Sequence, residues 1–324
     1  MNRKPRILFL VMSAVSRPTT VDQLARALLP HRVLVHHDFS QTEHFPLQSQ
    51  NVEFVPNPKR TGWAVWGFTE AVFHSLDYAL KNLEFDYLQL LSPGCLPIKS
   101  MQQFETHVGG GENQAHFGCL DLLADRDVLM TVGYRAFTPD HTLRHRIMKR
   151  LSLMYFGANP GRRDVEGVWI RSGYAKRRDG SMKWTARLAL AGYRTMAKPA
   201  VGRHIFDQNF RPYYGSAWFG AQRWVIENML AQFSQPEIPR YFSRLHICEE
   251  FLLPTLLKRS GAAAGPSNHL VNVFNEANPR WLTDDDFASL RDSPKFFARK
   301  FPDDPDNPLR RRVIEELVGT PPQP

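Results

Sequence analysis

The sequence has few cysteines and no long apolar run. Its three cysteines, Cys95, Cys119 and Cys248, are too few and too scattered for a disulfide framework, and none stands in a metal-ligand spacing. The first apolar run, residues 7–12, is far shorter than the roughly 20 residues of a membrane-spanning helix. It also lacks the length and the cleavage site of a secretory signal, so we expect a buried first strand there. These absences favour a reducing compartment, and we expect a cytoplasmic protein.

Two nucleotide-binding signatures are also missing. No Gly-x-Gly-x-x-Gly follows the first apolar run, and no Walker sequence occurs, so neither a dinucleotide fingerprint nor a P-loop is supported. What is present is a chain of 324 residues with 43% hydrophobic content, enough for one large α/β core or two modest domains.

Positive charge is concentrated in one region. Residues 134–203 hold 16 Lys and Arg against four Asp and Glu, a net charge of +12, whereas the whole chain carries +9. Such a region could attract nucleic acid, an anionic membrane surface or an acidic polymer, or it could be a solvated face. Because no nucleic-acid-binding motif is present, we do not expect nucleic acid as a partner, and we keep peripheral contact with an anionic membrane as a possibility.

Apolar runs alternate with helical patterns over the first hundred residues, which indicates a parallel sheet with crossover helices. A looser, basic insertion is expected over about 105–205, followed by a second ordered block and a flexible tail. The predicted strands are 7–12, 33–37, 52–55, 86–91 and 213–219; the predicted helices are 20–29, 66–82, 141–156, 181–197, 221–233, one beginning near 248, and 308–318.

Polar groups follow two of the predicted strands. His36, His37 and Asp38 end the strand at 33–37, and an open α/β sheet binds ligands at this edge. Neighbouring strand residues point to opposite faces, so the two histidines do not suit one metal ion, while Asp38 suits either a binding role or a loop cap. The turn at residues 92–95, Ser-Pro-Gly-Cys, is rigid and carries no carboxylate.

Two further segments could carry chemistry. In residues 214–220, small residues allow close backbone approach, and Trp218 offers a flat apolar face for a sugar ring or for the core. Glu249 and Glu250 stand in the first turn of a predicted helix, where the helix dipole favours carboxylates whether they cap or catalyse. Asp121 and Asp125 are spaced for one helix face rather than for a metal clamp.

Taken in order, these segments resemble the core-2 and I-branching β-1,6-N-acetylglucosaminyltransferases (glycosyltransferase family 14), which include the peptide O-xylosyltransferases. The resemblance covers roughly 7–100 and 210–301 and leaves the basic middle out. Its six landmarks are Val35-His36-His37-Asp38, Trp66-Gly67, residues 91–100, Gly215-Ser216-Ala217-Trp218-Phe219, Glu249-Glu250-Phe251 and Phe297-Ala298-Arg299-Lys300-Phe301.

The resemblance implies an α/β protein of GT-A type, a UDP-sugar donor, inversion at the anomeric carbon, and no metal or other cofactor. It makes Glu250 the general base and Glu249 and Trp218 acceptor contacts. It puts Lys300 on the donor diphosphate, with Arg280 or Arg299 as the second cation, and Asp38 at the donor. Cys95 stands where many members have Asp, which leaves that contact open.

We therefore expect one glycosyltransferase domain over 1–301, with a short helix and tail over 302–324. The donor sugar is expected to be N-acetylglucosamine and the acceptor a glycan or polysaccharide. Xylose or glucuronic acid as donor sugars, and a non-catalytic protein that binds nucleotide sugar or anionic polysaccharide, are the alternatives.

Overall fold

The computed structural model describes residues 3–165, 167–203, 210–271, 274–275 and 278–319. The first part of the chain alternates strands and helices as its apolar pattern predicts. Its elements are β1 (Ile7–Ser13), α1 (Pro18–Ala27), β2 (Arg32–His37), β3 (Val52–Phe54), α2 (Trp66–Asn82) and β4 (Tyr87–Leu91).

The middle of the chain is richer in helix than in strand. Its elements are β5 (Leu96–Pro97), α3 (Met101–Gly110), β6 (Ala115–His116), β7 (Cys119–Asp121), α4 (Arg126–Ala136), α5 (Leu143–Phe156), β8 (Gly161–Val165), β9 (Val168–Ser172) and α6 (Trp184–Arg203).

The last part carries short strands between helices. Its elements are β10 (Tyr213–Gly215), β11 (Gly220–Gln222), α7 (Arg223–Phe233), α8 (Glu237–Phe242), α9 (Glu249–Arg259), β12 (Ala264–Gly265), β13 (His269–Val271), β14 (Phe274–Asn275), β15 (Asn278–Pro279), α10 (Phe287–Asp292), β16 (Phe297–Arg299) and α11 (Pro308–Val313). A π-helical turn, Ile314–Val318, continues α11, so the predicted helix at 308–318 is confirmed. The end of the predicted tail, residues 320–324, lies outside the described residues.

Seven of the described strands form a mixed sheet in the order β12-β6-β11-β4-β1-β2-β3. β1 lies between β2 and β4 and is parallel to both, whereas β11 is antiparallel to β4 and β6. Every residue of β1 is buried, as expected for a central parallel strand covered on both faces. Its side chains alternate between two hydrophobic clusters, with α2 in one and α1 in the other. The protein is thus an α/β fold with a mixed sheet between helical layers.

Two predictions about the later part of the chain were wrong in detail. The strand predicted at 213–219 ends at Gly215 as β10, which pairs with β7 outside the main sheet. A separate strand, β11, follows at Gly220–Gln222 and lies within the main sheet. Gly215 is needed in β10 because a Cβ there would overlap the carbonyl oxygen of Gly118. The segment from 105 onward is not wholly an insertion, since β6 pairs with β11 and β12 in the central sheet.

Candidate functional site

A cavity of about 490 Å³ lies where several segments of the chain meet. Its walls come from the loop before α2, from α4, from β9, from the segment between β10 and β11, from the start of α9 and from the end of β16. Four predicted site residues line it together: Trp218, Glu249, Glu250 and Arg299. Residues more than 80 positions apart in the sequence therefore share one cavity.

Glu250 is held by an arginine that the sequence did not single out. Nη2 of Arg135, in the last turn of α4, donates a hydrogen bond of 2.8 Å to Oε2 of Glu250, and also contacts the carbonyl oxygen of Ile247. Burial alone would lower the pKa of Arg135, but the charge of Glu250 outweighs it and the pKa is raised. The carboxylate is one-third exposed to the cavity and is oriented by this ion pair.

Glu249 stands in a different environment although it is the next residue. Its Oε2 is buried without a hydrogen-bond partner among the described residues. Burial, and then the charge of Glu250, raise the pKa of Glu249 to about 7. A carboxyl group poised near neutral pH in a cavity is a common property of functional sites. The first turn of α9 therefore presents one paired carboxylate and one that exchanges its proton near neutral pH.

Arg299 and Trp218 form a second pair of side chains in the cavity wall. The guanidinium carbon of Arg299 lies 4.6 Å from the centroid of the Trp218 ring, a cation–π distance. Nε of Arg299 is buried and has no hydrogen-bond partner among the described residues. Burial lowers the pKa of Arg299, against the opposing influence of Cys95 and Glu250. An arginine with an unsatisfied buried donor beside a cavity is available to an anion.

Two residues of the wall have strained backbones. Ala64 has a φ of 62° and Ile247 a φ of 52°, which is the left-handed region that β-branched residues rarely enter. The two are joined by a hydrogen bond of 3.1 Å from the Ile247 amide to the Ala64 carbonyl. Such conformations cost on the order of 1–3 kcal/mol each and concentrate at functional sites. This strain indicates that the loop before α2 and the start of α9 are held in place for more than packing.

Lys300 lies beside the cavity but does not line it. Its Nζ is 3.9 Å from the centroid of the Trp281 ring, and its side chain packs near Gly94 in the predicted rigid turn. The amide of Phe301 donates a hydrogen bond of 2.8 Å to the Gly94 carbonyl, which fixes the turn against this segment. Burial, and then the charge of Arg299, lower the pKa of Lys300. Arg299 therefore lines the cavity, whereas the side chain of Lys300, the next residue, lies against Trp281.

The Arg280 side chain already has an ion-pair partner within the protein. It forms a bidentate ion pair with Asp286, with distances of 2.6 and 2.8 Å. The same carboxylate also accepts from the Thr283 amide. Arg280 does not line the cavity, so the geometry favours Arg299 over Arg280 as the second cation.

Asp38 organises a loop that reaches the cavity wall. Its carboxylate accepts hydrogen bonds from Ser40, from Gln41, and from both the amide and the hydroxyl of Thr61. Burial works against ionisation, but these hydrogen bonds hold the pKa of Asp38 well below its usual range. Residues 62–64, which follow Thr61 directly, line the cavity. The contacts of Asp38 are those of a residue that positions this wall.

A larger cavity, of about 900 Å³, adjoins the first and shares part of its wall, including Trp63 and Arg135. The Trp63 side chain is 83% exposed. Asp140 lies in this second cavity and faces three histidines at 3.2–3.6 Å; they are His141, His145 and His246. Arg146, Lys149 and Arg244 add positive charge to the lining.

The remaining acidic and histidine residues that the sequence analysis singled out have hydrogen-bond or ion-pair partners within the protein. His36 accepts from the Lys59 amide, and His37 contacts Ser13 and the carbonyl oxygen of Thr42. The prediction that Asp121 and Asp125 lie on one helix face was wrong, because Asp121 ends β7 and pairs with an arginine, whereas Asp125 caps α4. In the described part of the chain, no three His, Cys, Asp or Glu side chains are grouped so as to hold a metal ion.

None of the described helices combines the length and the apolar character of a membrane span. A scan against protein-family models matches none of them to this chain, and a search of curated proteins gives no significant match. The resemblance to the branching N-acetylglucosaminyltransferases therefore rests on the six landmark segments of the sequence.

Proposed function

We propose that this protein is an inverting glycosyltransferase of GT-A type that moves a sugar from a UDP-sugar to a hydroxyl group of a glycan. The observation that carries the proposal is the cavity that unites Trp218, Glu249, Glu250 and Arg299. A mixed α/β sheet, with Asp38 and the turn at residues 92–95 directly after two of its parallel strands, supports the GT-A assignment. N-acetylglucosamine is the first candidate sugar, and xylose and glucuronic acid are the next.

Glu250 is the group proposed to activate the acceptor. An alcohol needs a base within hydrogen-bond reach when it attacks, and Glu250 offers a partly exposed carboxylate in the cavity. The acceptor oxygen forms a bond to the anomeric carbon as the bond from that carbon to the donor phosphate oxygen breaks. The hydroxyl proton goes to Glu250, and the electron pair of the broken bond goes to the departing UDP.

The departing diphosphate needs positive charge, because negative charge accumulates on it during the reaction. Arg299 supports this role through its unsatisfied Nε beside the cavity. Lys300, the next residue, is a second cation close to it in sequence and lies against the rigid turn at Gly94. Arg280 would first have to leave its ion pair with Asp286.

Acceptor sugars are proposed to lie along Trp218 and Trp63. Indole rings stack on the apolar faces of sugars, and Trp63 stands exposed on the wall shared by the two cavities. A saccharide that reached from Glu250 past Trp63 would extend into the larger cavity. Glu249 is close enough in sequence and in space to contact the same acceptor.

A panel of UDP-sugars tests the proposal in two steps. Donor binding raises Tm by mass action even without an acceptor, so the correct donor is recognised by its thermal shift. UDP release from that donor is then measured with and without glycan acceptors, using wild type and Glu250→Gln. A protein that responds to no UDP-sugar is not this transferase, and one that binds a donor without ever releasing UDP is a binding protein.

A further inference from the structure

The basic stretch forms two helices that carry no acidic residue. α5 contains four Lys and Arg, and α6 contains four more, while neither has an Asp or a Glu. On a helix surface, a carboxylate three or four residues away is close enough to balance an exposed cation. Here Arg150, Arg187 and Arg194 are exposed and have no such partner on their own helix. The positive charge of this pair of helices is therefore uncompensated locally.

An exposed apolar stripe runs along α5. Leu143, Ile147 and Met154 are all exposed, with Arg150 between them. Because successive residues turn by about 100° around a helix, positions 143, 147, 150 and 154 share one face. The buried residues of α5 lie on the opposite face; they are His145, Met148, Ser152, Tyr155 and Phe156.

A matching stripe runs along α6. Trp184 is 64% exposed and Leu188 is 59% exposed, and the exposed Ala191 and Thr195 continue the same face. The opposite face is buried; it consists of Ala186, Ala189, Tyr193 and Ala197. Large apolar side chains on the outside of a basic helix are unusual in a surface that only meets water.

The two stripes face the same way. The helices are antiparallel, since Arg144 near the start of α5 donates to the carbonyl oxygen of Met196 late in α6, and Leu151 lies against Gly192. On each helix, the residues that contact the other helix lie about 90° around the helix axis from the exposed stripe. They lie about 90° in the other direction from the buried face. With the core on one side of both helices, both stripes lie on the other side.

We propose that this outer face of α5 and α6, which we call the basic face, docks on an anionic lipid bilayer. Its exposed arginines and lysines suit the lipid phosphates, and its leucine, isoleucine, methionine and tryptophan side chains suit the shallow apolar layer beneath. A nucleic acid would use the charge but not the apolar stripes. A second copy of this chain would bring like charges together.

Docking would bring the larger cavity close to the lipid surface. Arg146 and Lys149, which line that cavity, stand on α5 between the stripe and the cavity. An acceptor carried by a membrane lipid would then meet the cavity from the bilayer. The membrane contact itself does not depend on the proposed transfer reaction, and its test uses no sugar.

Vesicle flotation with the full chain tests the basic face. Phosphatidylcholine vesicles are compared with vesicles that contain one quarter phosphatidylglycerol. We expect at least a tenfold stronger association with the anionic vesicles. The triple variant Arg150→Gln, Arg187→Gln and Arg194→Gln should lose most of this gain, whereas a matched variant with Arg17→Gln, Arg32→Gln and Lys81→Gln should keep it. All six residues are exposed.

The apolar stripes have their own test. Leu143→Gln with Leu188→Gln should weaken association with anionic vesicles at least threefold, and brominated lipid should quench wild-type fluorescence more than that of Trp184→Phe. Equal binding to both vesicle types, or equal loss in the matched variant, would overturn the proposal. It would also be overturned if the stripe variants left vesicle binding intact, if they dissociated a dimer instead, or if the face bound RNA more tightly than anionic vesicles.

Discussion

Glu249 and Glu250 are sequence neighbours with different surroundings, and the start of a helix explains the difference. A turn of about 100° separates adjacent side chains on a helix, so one carboxylate can be buried while the next meets the cavity. Glu250 finds Arg135 at 2.8 Å, whereas one oxygen of Glu249 is buried without a partner. The two residues are therefore suited to different tasks.

Replacing Glu250 by Gln should remove the base and keep the shape of the site. Turnover should fall by a factor on the order of 10²–10⁴, which is the usual contribution of general acid–base catalysis. The Tm increase on donor binding should be retained, since the amide still fills the space. Glu237→Gln, an exposed position on α8, is the matched control and should turn over like wild type. A mild Glu250→Gln together with an inactive Glu249→Gln would move the base to Glu249.

Glu249 should make stability depend on pH. Its folded-state pKa of about 7 lies above the ordinary value of 4.5, so the folded protein holds a proton that the unfolded chain has released between these pH values. The free energy of unfolding should therefore fall as pH rises from about 4.5 to 7. Glu249→Gln removes this dependence and should gain about 1–3 kcal/mol relative to wild type between pH 5 and 8. Urea unfolding of both proteins measures this difference; parallel pH curves would contradict it.

Sequence patterns identified Glu250 but not the arginine that orients it. Arg135 is 115 positions from Glu250 and stands at the edge of a stretch rich in Lys and Arg, where nothing in its neighbours distinguishes it. Trp63 was missed for a similar reason, because a lone tryptophan in a loop gives no periodic signal. Arg280 was a reasonable candidate by charge, and only its distances to Asp286 reveal that it is already paired.

At the scale of elements, the loop before α2 links Asp38 to the cavity. Asp38 holds Thr61, and the strained Ala64 accepts a hydrogen bond from Ile247 at the start of α9. Between these two anchors stands Trp63. The loop is thus fixed at both ends while its tryptophan remains exposed.

Trp63→Ala should weaken acceptor binding without affecting the donor. We expect the KM for a long saccharide acceptor to rise about fivefold, since an aromatic stacking contact contributes on the order of 1 kcal/mol. The KM for the UDP-sugar and the Tm should stay close to wild type, because the side chain is 83% exposed. Trp224→Ala, on α7 away from both cavities, is the control. A larger effect on donor than on acceptor would show that Trp63 belongs to the donor site.

Local sequence patterns predicted where the helices and strands lie better than they predicted which strands pair with each other. The strand at 33–37 and the helices at 66–82 and 141–156 agree with β2, α2 and α5 within two residues. The short strands β6 and β12 are two residues each and have no detectable period, so their place in the sheet could not be predicted. They are strands because their backbone groups form hydrogen bonds with neighbouring strands, and this pairing depends on the tertiary structure.

At the scale of the whole molecule, distant segments of the chain converge on the cavity, and one of them, the end of β16, lies near the edge of the sheet where the parallel strand β4 ends. β16 carries Arg299 and Lys300 to this edge by pairing with β5, directly after the rigid turn at residues 92–95. The motifs along the chain were grouped by their resemblance to one family, and four of the residues singled out from the sequence line one cavity. Which member of the pair 299–300 faces the cavity depends on the twist of a three-residue strand, and only the structure determines it.

The same arrangement predicts whether activity depends on a metal ion and how much each cationic side chain contributes to UDP binding. The turn at residues 92–95 carries no carboxylate, and Lys300 packs beside it, with Arg299 as the preceding residue. Under the proposed function, these two side chains supply the positive charge for the diphosphate. Activity should therefore survive exhaustive EDTA treatment.

Lys300→Ala and Arg299→Met should each weaken UDP binding about 10- to 100-fold, since a charge-assisted hydrogen bond contributes about 1.5–3 kcal/mol. Arg280→Gln should bind UDP like wild type, because Arg280 is paired with Asp286. Calorimetric titration with UDP, with and without Mn²⁺, measures all three variants. If EDTA abolished activity and Mn²⁺ restored it, the roles of Lys300 and Arg299 on the diphosphate would have to be given up.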